Sequence, residues 1–159
     1  MKKLIISIIV VTILASCEKT LQEVPRDFIS RTNYYKNQSD AEGAINGVYS
    51  AFASDYGITF WLFQVLHSDY ALGRGSQAPI SIFNSILDQT NINRAATIWS
   101  SFYTTINRAN SVLDNVPGIE GINEEVKQRI LSEAHFFRAL SYFNLVRGFG
   151  PVPIKIHES

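Results

Sequence analysis

Cysteine is nearly missing from this 159-residue chain: Cys17 stands alone, so no intrachain disulfide can form. Net charge is missing as well, because 14 basic and 14 acidic side chains cancel. With no basic block and no acidic tail, neither a nucleic-acid partner nor electrostatic binding to an anionic lipid surface is expected. A membrane-spanning helix needs about 20 consecutive apolar residues, and the run at positions 4–14 falls well short. The histidines His67, His135 and His157 are scattered and form no H-E-x-x-H pattern, which argues against a metal site. The glycine-bearing stretch L-G-R-G-S at 72–76 lacks the G-x-x-x-x-G-K-[ST] spacing of a phosphate cradle. No nucleophile, base and orienting acid come together, and no converging carboxylates support a lipid-anchored glycoside hydrolase. The expectation is a chain that is not an enzyme and carries no cofactor.

What is present begins at the amino terminus. Met1-Lys2-Lys3, the apolar run and then Leu14-Ala15-Ser16-Cys17 read as a signal peptide over 1–16. The last four of these residues resemble a bacterial lipobox, which would make Cys17 the lipidated first residue of the mature protein. The plainer reading is an ordinary secretory signal with an incidental cysteine. Several acyl chains at about 0.8 kcal/mol per buried CH₂ hold a protein at a bilayer where a single chain does not. Residues 17–27, polar and ending near Pro25, read as a lipidated flexible tether.

The remainder, 28–159, reads as one all-α domain of helical hairpins. Ser39 is the expected cap of a first helix, with Glu42 closing a capping box. Ile45, Val48, Tyr49 and Phe52 follow at helical spacing until Asp55-Tyr56-Gly57 stops them. Gly43 and Gly47 on this helix are expected to allow close packing. Residues 58–66 suit a buried helix or a strand, and helix is preferred. A loop is expected over 67–79, then an irregular stretch over 80–93. A long amphipathic helix is expected over 95–116, ended by Pro117-Gly118, and another begins after the Asn123 cap. That last helix is apolar nearly all round, with only Arg129, Glu133, Asn144 and Arg147 as its wet strip. It is expected to be packed on several sides and to end at a left-handed cap on Gly148.

Three blocks carry a family resemblance: T-N-Y-Y-K-N-Q-S-D-A-E-G-A-I-N-G-V-Y from Thr32, W-S-S-F-Y-T-T-I-N-R-A-N-S-V-L-D from Trp99, and E-A-H-F-F-R-A-L-S-Y-F-N-L-V-R-G-F-G-P-V-P-I from Glu133. Together they resemble the N-terminal portion of the SusD/RagB family of outer-membrane nutrient-binding lipoproteins. The resemblance implies tetratricopeptide-like helix pairs and a palmitate-type lipid anchor on the cell surface of the outer membrane. It also implies glycan binding in nutrient uptake, with delivery of oligosaccharide or another nutrient to a TonB-dependent, SusC-like transporter. Family members are several times longer, so this chain is expected to be incomplete. The alternative is a helical adaptor that contacts the transporter without holding ligand.

Among individual residues, Arg138 projects onto the apolar side of its helix and requires a partner, for which Asp69 and Asp114 are the available carboxylates. Such a pair is expected to be structural. Flat aromatic rings suit the apolar face of a pyranose. Trp61 and Trp99 are nevertheless expected in the core, and His135 as a hydrogen-bonded core residue. That leaves Tyr70, beside the glycine-rich loop, as the candidate ligand-binding residue.

Overall fold

The computed structural model describes residues 34–82, 86 and 88–159. The expected signal peptide 1–16, the tether 17–27 and Cys17 lie outside the described residues. Among those residues the regular structure is helical: α1 Gln38–Asp55, α2 Ile58–Leu66, α3 Ala78–Ser81, α4 Gln89–Asn115 and α5 Glu124–Phe149.

Helix α1 starts two residues earlier than the Ser39 cap would require. The Asn37 side chain accepts from the Asp40 amide at 3.1 Å, and the Asp40 carboxylate accepts from the Asn37 amide at 3.2 Å. This is a capping box built on Asn and Asp, and it leaves Glu42 to accept from the Gln38 side chain instead. Close packing is not what Gly47 provides, since a Cβ added there would meet nothing within 4 Å.

Residues 58–66 are helical, yet only Phe60 and Leu66 of α2 are buried. Trp61, expected in the core, is 58% exposed. It falls about 100° round the helix from Phe60 and about 140° from Leu66, on a side that neither buried residue turns inward.

The long helix α4 begins six residues before position 95. Asp88 caps it by accepting from the Asn91 amide at 2.9 Å, and the buried Asn91 side chain donates to the Ser76 carbonyl at 2.7 Å. Polar side-chain bonds thus fix the first turn of α4, where the apolar pattern is irregular. The loop before it is equally tied down. Gly73 donates to the Ser81 hydroxyl at 2.8 Å, and a Cβ on Gly73 would sit 2.2 Å from the Gln77 carbonyl oxygen.

Helices α4 and α5 form a hairpin through a 3-10 turn at Val116–Gly118, and α1 lies against both. One core cluster joins the three helices through Ile45, Val48, Val112, Ile130, Ala134 and Phe137. A second joins Phe60 of α2 with Ile98, Phe102, Ile106 and Leu145. Asn123 caps α5 by accepting from the Glu125 and Val126 amides. The helix ends at Gly150, where φ is 75°; Gly148, expected as the left-handed cap, lies within the helix.

The expectation that α5 is packed nearly all round fails. Ile130, Ala134, Phe137, Ser141 and Leu145 are buried, but Phe136 is 59% and Phe143 57% exposed, and Arg147 lies over the Phe143 ring at 5.3 Å. His135 is also exposed rather than in the core, whereas Asn144, assigned to the wet strip, is buried. Two neighbours, α1 and α4, can cover only one broad face of a helix.

A buried carboxylate joins the ends of α1 and α4. Asp55 accepts from the Ser101 hydroxyl at 2.5 Å and from the Thr105 hydroxyl at 2.7 Å. Burial pushes its pKa above the ordinary aspartate value, and the two hydroxyl bonds only partly oppose that. The folded state therefore holds this proton more tightly than the unfolded chain does. The resulting contribution to stability is complete below the unfolded pKa of about 3.9 and is lost as pH rises through the raised folded value. Asp55→Asn is expected to remove this decline, which urea melts of both proteins at a series of pH values would measure. Parallel pH profiles would refute the assignment.

Candidate functional site

Beyond Gly150 the chain leaves the helix through Pro151-Val152-Pro153 and runs extended to Ser159, with no backbone ladder to satisfy it. Side chains of α4 and α5 serve instead. Tyr103 donates to the Pro153 carbonyl at 2.6 Å. Burial and then the neighbouring Tyr142 raise the Tyr103 pKa, which keeps its phenol a donor. The Tyr142 hydroxyl donates to the Lys155 carbonyl at 2.9 Å and accepts from the Lys155 amide at 2.6 Å. The buried Asn110 donates to the carbonyls of Lys155 and His157 at 3.1 and 3.0 Å. Asn107 accepts from the Ser159 amide at 2.9 Å.

Arg138 belongs to this same arrangement. Its guanidinium donates to the Asn110 side-chain oxygen at 2.8 Å and to the Ile156 carbonyl at 3.2 Å, and its other terminal nitrogen lies 3.3 Å from His135. It is half-buried, and neither carboxylate considered from the sequence is its hydrogen-bonded partner. Asp69 lies exposed on the loop after α2. Asp114 sits close enough for the Arg138 charge to help lower its pKa, but the Glu158 amide, at 2.8 Å, is the main cause, followed by His157, at 3.0 Å. The guanidinium fork thus meets neutral oxygens, and the carboxylate meets the backbone of the exit segment.

Beside this segment lies a cleft of about 550 Å³, whose lining includes Trp99, Tyr103, Thr104, Asn107, Arg108 and Lys155. Its aromatic wall is held in place: the Trp99 ring lies 5.0 Å from Tyr103 at a 39° tilt and meets Phe149 edge-on at 5.1 Å. Trp99 is half-buried, packing on the second core cluster as expected from the sequence while also facing the cleft. An aromatic surface edged by amide, hydroxyl and cationic donors can stack a pyranose and bond its hydroxyls. Tyr70 is 90% exposed and does not line this cleft.

Sequence reasoning missed Asn107, Asn110, Tyr103 and Tyr142. The available signal was a pair of asparagines three residues apart on an amphipathic helix, where their short amides disfavour the helix interior unless something binds them. Among the described residues no group of three His, Asp or Glu side chains is placed to hold a metal ion.

Two SusD-like proteins of Formosa agariphila are similar to this chain, one 31% identical over 148 residues, or 87% of it, and one 29% identical over 161 residues, or 96%. The chain spans 28% and 31% of the length of those relatives. A SusD-like protein of Bacteroides ovatus is 39% identical over a shorter stretch of 56 residues, covering 34% of this chain and 10% of that protein. No solved structure matches. Residues 27–159 match the family described as starch-binding and associating with the outer membrane, and on that match the chain belongs to the SusD-like family.

Proposed function

We propose that this chain is part of a surface lipoprotein of the outer membrane that captures glycan and passes it to a TonB-dependent, SusC-like transporter, without being an enzyme. The family match over residues 27–159 carries the reading, and the Trp99–Tyr103 cleft is the described feature whose chemistry suits the ligand. Neutral sugar needs no field of one sign, which agrees with a net charge of zero. Cys17, freed by cleavage after Ser16, would carry the lipid anchor, and residues 17–27 the reach from bilayer to domain. Tyr70, on its exposed loop, is offered as a further ligand contact. Arg138 and Asp114 act structurally in this reading, fixing the exit segment that borders the cleft. Asp69 has no role in that arrangement.

The test is calorimetric titration of the full chain with maltoheptaose, chosen because the family is described as starch-binding. Saturable binding that Trp99→Ala weakens about tenfold, in keeping with the stacking and burial lost, is the expected result. The adaptor reading is favoured by one observation, that the chain spans under a third of the relatives' length. No saturable heat together with retained transporter capture would establish it in place of ligand binding.

A further inference from the structure

A second cavity, of about 330 Å³, opens between α2, the first half of α4 and the last turns of α5. Among the described residues its walls include the phenyl rings of Phe60, Phe63 and Phe149 and the side chain of Ile98, with Gln64, His67 and Asn144 as polar members. We propose that it is a binding site for a single apolar six-membered ring carrying one hydroxyl or amine donor, separate from the glycan cleft and independent of the reading given to that cleft.

Size sets the first limit. Ligand pockets usually enclose about 300–1,000 Å³, and this one lies at the bottom of that range, which suits one ring with a short substituent. Wall chemistry sets the second. Three phenyl rings and an aliphatic side chain favour an apolar ring, while a free sugar carries more hydroxyls than Gln64, His67 and Asn144 can bond and would lose water from the rest.

Asn144 sets the third limit. Its amide hydrogens are engaged, donating to the Tyr56 hydroxyl at 2.9 Å and the Leu140 carbonyl at 3.0 Å. What the side chain offers a ligand is its carbonyl oxygen, so the complementary group on the ring is a donor.

Gly148 is the fourth observation. It lies inside α5, does not take the positive φ that Gly150 does, and lines the cavity. A Cβ built on it meets nothing within 4 Å. Glycine destabilises a helix interior relative to alanine, and neither backbone strain nor a close neighbour accounts for it here. Exposed where it lines the cavity, it leaves the mouth clear, and a side chain there would stand in the opening.

Benzyl alcohol has the stated chemistry and can be titrated into the full chain while the Ile98 methyl resonances are followed by NMR. A saturable shift is expected, about tenfold weaker in Gly148→Ala and lost in Gly148→Leu, whose side chain fills the space without a clash at Cβ. Circular dichroism checks that both variants keep their helices, and neither change needs a new backbone conformation. Asn107→Ala, which disturbs the glycan cleft and lies outside this cavity's lining, should leave the site responsive to benzyl alcohol. The proposal is overturned by an absent or non-saturating shift, by an equal response in Gly148→Leu, or by methyl glucoside shifting the same methyl with comparable affinity.

Discussion

Phe137→Ala is expected to lower the unfolding free energy by about 3–5 kcal/mol, the range for truncating a buried aromatic side chain. Phe137 lies where α5 meets α1, packed in the first core cluster. Its ring meets Tyr49 edge-on at 4.5 Å and lies 4.8 Å from Phe52 and 5.5 Å from Phe136. Truncation removes both the transfer term and the ring contacts, and those partners cannot collapse inward. Tyr49 and Phe136 are themselves largely exposed, so the void would open toward water, which favours the lower part of the range. Urea denaturation followed by far-UV circular dichroism gives the value. A loss under about 1 kcal/mol would mean that α1 and α5 are joined by something other than this ring.

Helix positions that bury a regular apolar stripe were legible in the sequence, as in α1, α4 and the first half of α5. There the 3.6-residue period and the hydrophobic effect point the same way. Boundaries were harder wherever a polar side chain decides them. Asn37 in place of Ser39 and Gly150 in place of Gly148 are each a choice between residues two apart of nearly equal capping power, while the start of α4 at Asp88 rather than near position 95 is set by side-chain bonds in a stretch with no regular apolar stripe.

A helix with apolar residues on every side does not reveal which side will be covered, because that depends on how many neighbours reach it. Trp61 and His135 were misplaced for that reason, and so was the apolar flank of Phe136 and Phe143. Arg138 was legible as a residue in need of a partner, but its partner was not. The sequence offers carboxylates to a guanidinium, while the fold brings it an amide and a backbone carbonyl of the exit segment. Such pairings depend on where an extended segment passes, and no periodicity records that.

Asn110→Ala should produce the other large effect, and it is expected to be concentrated in one part of the molecule. This one side chain donates to two carbonyls of the exit segment and accepts from Arg138. Each hydrogen bond contributes about 0.5–1.5 kcal/mol net, so the three together give a loss of about 2–4 kcal/mol, less whatever water recovers at the exposed carbonyls. Hydrogen exchange should locate the change. The Lys155 and Glu158 amides, which donate to Tyr142 and Asp114, should exchange far faster in the variant, while amides in the middle of α1 stay near their original rates. Asn110→Asp separates position from chemistry, because it keeps the acceptor for Arg138 and loses both donors to the segment. It should free residues 155–159 nearly as completely as alanine while leaving Arg138 in place. Unchanged exchange at Lys155 in both variants would show that the Tyr103 and Tyr142 hydroxyls suffice to seat the segment, and Arg138 would then have no structural task through Asn110.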